Sequence, residues 1–126
     1  MDYQLYKIKL YRDIFFTSTL VLILLSVYPG NLIGLIIFGD DSTLPGSDKF
    51  HHFISYFFVS FFGFLSFSKK GKLLKILFFL LGLGLFLELF QIWIPNRYFE
   101  LLDIFFNIGG VVISLAIFKF LKFKEK

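Results

Sequence analysis

Long apolar runs, separated by short breaks, are the main pattern in this chain. The first extends from Ile14 to about Tyr28, meets Pro29-Gly30-Asn31 and resumes as residues 32–38. A helix that crosses a bilayer needs roughly 20 predominantly apolar residues. The first run reaches that length if its helix starts near Tyr11 or continues past a kink at Pro29.

Three more runs follow, each close to the length of a membrane span. The breaks before them are Pro45-Gly46-Ser47, Lys69-Lys70-Gly71 and Pro95-Asn96. The pattern predicts an all-α membrane protein, a bundle of four transmembrane helices at about residues 12–28, 50–67, 73–94 and 101–118.

Composition supports lipid as the solvent for most of these side chains. Of 126 residues 57% are hydrophobic and only 17% are charged, whereas soluble domains are about one quarter charged. The length predicts one integral membrane domain over residues 1–126. The absence of cysteine excludes disulfides, thiolate nucleophiles and cysteine-ligated metals.

Lysine and arginine are distributed unequally between the two sides of the predicted bundle. Eleven lie in the N-terminal segment, the 69–75 region and the C-terminal tail, and only Lys49 and Arg97 lie in the other two loops. The positive-inside rule predicts that both termini and the 69–72 loop are cytoplasmic, with Lys49 and Arg97 on the outer side. A signal peptide is the competing interpretation of the first run, but no small-residue cleavage site follows Val27. Because the basic clusters flank apolar runs, nucleic-acid binding is not predicted.

Polar side chains gather at the predicted outer ends of the last three spans. Ionisable groups at the membrane cost free energy and tend to mark function. Since purely structural roles would scatter over both sides, we expect one outward-facing polar pocket. Its members are Asp48, His52, Glu88, Gln91, Arg97, Asp103 and Asn107.

The spacing of these residues indicates chemistry but leaves structural roles open. Asp48 and His52 share a helix face with Tyr56, which suits a general base, although an N-cap and an interfacial histidine explain them equally. Glu88 lies about 9 Å inside the end of its span. At that depth it needs a partner, and Arg97 or His52 is the candidate.

The start of the last span carries a second polar face. Asp103 and Asn107 are four residues apart, and Gly110 and Ser114 suit close helix contact on the same side. An N-cap role for Asp103 and an interhelical hydrogen bond from Asn107 are the structural alternatives.

Asp48-Lys49-x-x-His52-Phe53, followed by the Glu88–Gly110 pattern, resembles the VanZ-like membrane protein family over about residues 29–114. Ser114 departs from the pattern, since the family often has glycine there. The resemblance implies a small membrane protein, and the named member of the family is associated with resistance to the glycopeptide teicoplanin. It also implies functional positions at Asp48, Lys49, His52, Tyr56, Glu88, Gln91, Pro95, Arg97, Asp103, Asn107 and Gly110.

Three functions remain open at this stage. The first is binding or acting on a membrane lipid or lipid-linked envelope precursor, with Lys49, Tyr56, Gln91, Arg97, Asp103 and Asn107 as binding residues and teicoplanin resistance as one outcome. The second is a head-group hydrolase or transferase with His52, Asp48 and Glu88 as catalytic residues. The third is a structural or accessory subunit. No cofactor is predicted. A metal held by His52, Asp48, Glu88 and Asp103 is left open but not predicted, because two adjacent histidines and scattered carboxylates are not a metal signature. A homodimer is also left open.

Overall fold

The computed structural model describes residues 3–39 and 47–124. They form five α-helices, α1 (Tyr3–Val27), α2 (Leu32–Phe38), α3 (Ser47–Ser66), α4 (Lys70–Phe90) and α5 (Leu101–Lys124), with a 3₁₀ turn at Gln91–Trp93 after α4. No strand occurs in these two described ranges. The all-helical prediction is confirmed, and the predicted break at Pro45-Gly46 lies outside the described residues.

The predicted number of spans is wrong. Three helical segments in the described part of the chain are long and apolar enough to cross a membrane: Tyr3–Val27, Gly71–Trp93 and Leu101–Lys124. α3 has 20 residues, but its polar first two turns and its serines lower its mean hydropathy. The first and last spans are also longer than predicted, because α1 begins at Tyr3 and α5 continues to Lys124.

Prolines, glycines and one asparagine make the turns between helices. α1 ends before Pro29, and Gly30 has a φ of 97°, which a residue without a Cβ adopts readily. The Asn31 side chain then caps α2 by accepting the Gly34 N–H at 3.0 Å. Asn96 has a φ of 59° in the turn before α5, a conformation that asparagine tolerates better than most residues. These turns bring the ends of α1 and α4 to the same side as the start of α5.

α3 is the inner helix of the bundle and packs most extensively against α5, then against α1. Gly110 explains the closeness of α3 and α5. A Cβ at this position would collide with the carbonyl oxygen of Phe53 and lie 2.8 Å from the backbone nitrogen of Phe57. Ser114, one turn later, is fully buried. The predicted contact through small residues on α5 is therefore confirmed.

Large apolar side chains cover the outside of the bundle. Phe78, Phe86, Ile113 and Phe120 are all exposed, whereas Tyr56, Phe64, Leu80 and Val111 form the centre. Water is a poor solvent for such a surface, and lipid is a good one. The fold is that of a small helical membrane protein with its polar groups turned inward at one end.

Candidate functional site

Polar side chains gather where α1 ends, α3 begins, α4 ends and α5 begins. Glu88, Gln91, Asp103 and Asn107 are each at most 4% exposed, although all are polar. A polar group buried to this degree must be paired, or it costs free energy. The pairing pattern divides the predicted site residues into two groups that lie side by side.

The first group, which we call the buried triad, consists of His52, Glu88 and Asp103. Each offers one nitrogen or oxygen atom, and these three atoms all lie within 4.8 Å of one another. The residues come from α3, α4 and α5, so the triad joins three helices. His52 Nε2 is 3.5 Å from Asp103 Oδ2.

Asn107 holds the other side of the His52 ring. Its Oδ1 lies 2.9 Å from His52 Nδ1, which bridges α5 and α3. The predicted Asp48–His52 pair is absent from the ion pairs of the described residues, because Asp48 accepts a hydrogen bond from Lys49 at 2.9 Å instead. A spacing of four residues places two side chains on one face, but a partner on another helix can compete. His52 is therefore oriented from α5 rather than from its own helix.

Glu88 has one satisfied oxygen and one that is not. Oε1 accepts the backbone N–H of Glu100 at 3.1 Å, while Oε2 is buried without a hydrogen-bond partner. Arg97 was the nearest expected cation, yet no Glu88–Arg97 ion pair occurs among the described residues. The turn before α5 supplies the partner of Glu88 through its backbone.

Lys49 lies among carboxylates at the more exposed edge of the triad. Its Nζ contacts Glu100 and Asp48 and is 3.6 Å from Asp103 Oδ1. Asp48, Glu100 and Asp103 form a second acidic group whose ligand atoms lie within 4.8 Å of one another. The Lys49 ammonium already occupies the centre of this group, where a cation would otherwise bind.

The second group, which we call the α1 clamp, is Gln91 and Arg97 with the carbonyls at the end of α1. Arg97 donates from Nη2 to Leu25 O at 2.7 Å and from Nε to Tyr28 O at 3.1 Å. Gln91 Nε2 donates to Ser26 O at 3.3 Å. The last carbonyls of a helix have no partner within it. The clamp satisfies them and joins α1 to the loop between α4 and α5.

Burial also acts on the pKa of Arg97. It lowers the pKa of the guanidinium from its ordinary value, while Glu88 and Asp103 raise it. The two acids of the triad thus lie near enough to act on Arg97 without contacting it. The guanidinium keeps N–H groups beyond the two used in the clamp.

A polar cavity of about 90 Å³ lies beside these groups. Asp48, His51, His52, Gln91 and Arg97 line it together with Ser26, Asn31 and Ser55. It has room for a group of a few non-hydrogen atoms, because one water takes up about 30 Å³ in the liquid. Glu88 and Asp103 lie behind its wall, with His52 shared between cavity and triad.

A larger apolar groove of about 610 Å³ runs between α1 and α3. Leu22, Leu25 and Ser55 line both the groove and the polar cavity. Along α1 it extends from Asp13 to Leu25, which is about 18 Å at 1.5 Å per residue. That length is close to one leaflet, since the hydrocarbon core of a bilayer is about 30 Å thick.

Tyr56 lies one turn inside His52 on α3 and is 1% exposed. Its hydroxyl has no hydrogen-bond partner among the described residues. Its ring packs against α4 at Gly84, where an added Cβ would lie 3.2 Å from Tyr56 Cε1. Tyr56 is not among the residues that line the polar cavity, and its binding role stays a prediction.

Sequence reasoning missed several members of this site. Glu100 pairs with Lys49 and donates its N–H to Glu88, but its residue type suggested only a surface charge. The role of the carbonyls at the end of α1 could not be predicted, because backbone groups have no residue signature. One signal did exist: Pro29-Gly30 ends a helix that has no basic residue in its last turn, so those carbonyls needed donors from elsewhere.

Comparisons with known proteins give one match. The family model described as VanZ/LLP1 matches residues 3–122. No curated protein and no solved structure matches this chain. The match covers nearly all of the chain, including every residue of the triad and the clamp.

Proposed function

The chain belongs to the VanZ/LLP1 family, and from that premise we propose that it binds an amphiphilic lipid or a lipid-linked cell-envelope precursor at the membrane. The head group enters the polar cavity, and an acyl chain lies in the apolar groove between α1 and α3. The protein resides in the bacterial cytoplasmic membrane with its polar end facing outward.

The observation that carries this proposal is the continuity of cavity and groove. A polar cavity alone suits many small ligands, and an apolar groove alone suits a lipid of the surrounding bilayer. Here Leu22, Leu25 and Ser55 belong to both. The groove volume of about 610 Å³ is within the range of roughly 300–1,000 Å³ typical of ligand sites. One molecule with a polar and an apolar end fits both parts.

Charge on the cavity wall indicates a phosphate as the head group. Arg97 has unused N–H groups, and guanidinium groups suit phosphate oxygens. His51 and His52 add two imidazoles on the wall. Asp48 lies opposite, where it suits a cationic or hydroxyl part of the same head group.

The distribution of basic residues supports the outward orientation. Lys69, Lys72 and Lys75 lie at the start of α4, and Lys119, Lys122 and Lys124 lie at the end of α5, the opposite end from the polar cavity. Lysine-rich ends face the cytoplasm under the positive-inside rule. The cavity then opens toward the outer leaflet, where envelope precursors are displayed.

Blocking the junction of groove and cavity tests the proposal. Ser55→Trp places an indole where the two meet, and Ile113→Trp on an exposed face of α5 is the matched control. Native mass spectrometry of protein purified in mild detergent should show bound phospholipid with wild type and Ile113→Trp. The bound phospholipid should be absent from the Ser55→Trp protein. Equal lipid occupancy in all three proteins would refute the site.

The antibiotic outcome has a separate test in a sensitive host. Expression of the chain should raise the inhibitory concentration of teicoplanin, which carries an acyl chain, more than that of vancomycin. Membrane fractions must contain the protein in each strain. Equal sensitivity to both drugs would remove glycopeptide resistance from the proposal while leaving lipid binding to the mass-spectrometric test.

A second candidate is hydrolysis or transfer at the lipid head group. The orientation of the His52 ring by Asn107 and Asp103 favours it, because a general base must be fixed near its substrate. Glu88 would act as the acid, and water would attack, since no nucleophile motif accompanies these groups. Lipid profiles of cells with wild-type and His52→Ala protein decide this question. Identical profiles at equal protein abundance would exclude catalysis.

A further inference from the structure

The buried triad has the composition of a metal site. His52 supplies an imidazole nitrogen, and Glu88 and Asp103 each supply a carboxylate oxygen. Ligands on one zinc ion lie about 2.0–2.2 Å from it, so two of them are at most about 4.4 Å apart. The three atoms here lie within 4.8 Å of one another. Three ligands spread evenly around one ion are closer, at most about 3.8 Å apart, so side-chain movements of up to about 1 Å would bring these atoms onto one ion.

An unpartnered buried oxygen gives independent support. Glu88 is 1% exposed, and its Oε2 has no hydrogen-bond partner, while its Oε1 is already held by the Glu100 N–H. Asp103 Oδ1 is also buried without a hydrogen bond, with Lys49 Nζ 3.6 Å away. Buried carboxylates are normally paired or bound to a metal.

The environment of His52 matches that of a metal-bound histidine. The Asn107 amide oxygen accepts from Nδ1–H at 2.9 Å, which leaves the lone pair on Nε2. Nε2 is 3.5 Å from Asp103 Oδ2, so either a proton on Nε2 or a metal ion between the two atoms would satisfy both groups. Metal-binding histidines almost always donate their other ring N–H to such a partner.

Lysine and arginine side chains of the described residues make no ion pair with Glu88. Arg97 donates to the carbonyls of Leu25 and Tyr28, and Lys49 contacts Glu100 and Asp48 as well as approaching Asp103. The two carboxylates of the triad therefore face the His52 ring with Lys49, 3.6 Å from Asp103 Oδ1, as the only cationic side chain in ion-pair distance of either carboxylate among the lysines and arginines of the described residues. This point of the site suits a cation and excludes an anion.

We propose that His52, Glu88 and Asp103 bind one divalent transition-metal ion, with zinc or manganese best suited to mixed imidazole and carboxylate ligands. Three protein ligands leave coordination positions open. Because His52 also lines the polar cavity, an open position can accept a water or a phosphate oxygen from that side. A metal at these residues was left open and not predicted from the sequence, since ligands 36 and 15 residues apart along the chain are not a metal-binding signature.

Metal content measures the site directly. The full-length chain, purified in detergent with a histidine-free tag and stripped with chelator, is dialysed against Zn²⁺ alone or Mn²⁺ alone. Elemental analysis should find one ion per chain for at least one metal. Glu88→Gln and His52→Gln each remove a ligand, so each should weaken binding by more than the roughly 10-fold to 100-fold that loss of an outer-shell partner costs. His51→Gln is the matched control, because the adjacent histidine lies outside the triad, and it should retain the metal.

Two results would overturn the metal site: no stoichiometric ion on the wild-type protein, or equal retention by His52→Gln and His51→Gln. If the triad variants do not purify as monodisperse protein, Co²⁺ added to the wild type still decides. A visible d–d band supports the site, and its absence refutes it. The metal site does not depend on the identity of the lipid. Lipid occupancy of Ser55→Trp and metal content of His52→Gln are separate measurements, so either proposal can fail alone.

Discussion

The α1 clamp and the buried triad lie at the same end of one small bundle, yet they are built in opposite ways. In the clamp Gln91 and Arg97 donate three hydrogen bonds to carbonyls at the end of α1, and neither side chain has a buried polar atom without a partner. In the triad Glu88 Oε2 and Asp103 Oδ1 have no hydrogen-bond partner. Complete pairing is what a structural contact needs. A buried ionisable side chain that lacks a hydrogen-bond partner inside a membrane protein indicates a ligand-binding group.

This difference separates stability from function among residues that look alike in the sequence. Arg97 and Glu88 are both charged, both lie near the same helix ends, and both were expected in one pocket. The clamp variants should lose stability, and the triad variants should lose ligand. The following substitutions test that division, from the largest expected effect to the smallest.

Gly110→Leu should have the largest effect, because its side chain would meet the Phe53 carbonyl and the Phe57 nitrogen. Overpacking of this kind costs about 1–3 kcal/mol or more. Since it moves α5 from α3, it should break the His52–Asn107 contact and the triad but spare the clamp. Thermal unfolding in detergent measures the loss. Gly109→Ala is the control, as its Cβ would lie 3.6 Å from the Phe53 ring; equal losses would contradict this packing.

Arg97→Gln should be the most damaging change in the clamp. It removes hydrogen bonds from a charged donor to two buried carbonyls, each worth about 1.5–3 kcal/mol. We expect lower abundance in the membrane and a lower unfolding temperature. Arg12→Gln, an arginine on the exposed side of α1, is the control and should behave like wild type. A stable Arg97→Gln protein that has lost only its ligand would move Arg97 from the clamp to the binding site.

Asn107→Ala should cost about 1 kcal/mol, the usual value of one hydrogen bond. Its larger effect should be on the triad, because His52 loses the group that fixes its ring. Metal affinity should fall by about 10-fold or more. Ile108→Ala, on the exposed neighbour, should leave affinity unchanged. An affinity equal to that of wild type would show that Asn107 is only a helix contact.

Glu88→Gln should have the smallest effect on stability, within about 1 kcal/mol of wild type. An amide of the same shape can still accept from the Glu100 N–H, and it removes a buried charge. Metal binding should nevertheless be lost. Together with the loss of stability expected for Arg97→Gln, this result would most clearly separate the triad from the clamp. A large loss of stability in Glu88→Gln would instead show that the triad has a structural role in holding the helices together.

The sequence predicted the helices and the gathering of polar residues because both depend on local pattern. Apolar runs gave the helical segments, and the Gly110–Ser114 spacing gave the contact face of α5. The number of spans was overestimated because α3 is apolar in its second half alone. Its polar first half is turned toward the partners that the other helices provide.

The pairing within the site could not be predicted, because it depends on which helix lies against which. Spacing placed His52 with Asp48, whereas packing placed it with Asp103 and Asn107 on α5. Their opposite charges predicted an ion pair between Arg97 and Glu88. In the structure Arg97 instead donates hydrogen bonds to carbonyls at the end of α1. Backbone groups carry no residue signature. Two of the strongest contacts of the site, at the Glu100 N–H and the Leu25 carbonyl, were therefore invisible in the sequence.

The clamp also sets an order of events during synthesis. The contact from Arg97 to Leu25 joins residues 72 positions apart, whereas the contact from the Glu100 N–H to Glu88 joins residues 12 apart. The first helix leaves the ribosome with its terminal carbonyls open and must wait until most of the chain has been made. The hydrogen bond from Glu100 to Glu88, by contrast, can form as soon as Glu100 has left the ribosome. A chain cut short before Arg97 would keep the packing of α1 against α3 but would lack the arginine hydrogen bonds to the end of α1.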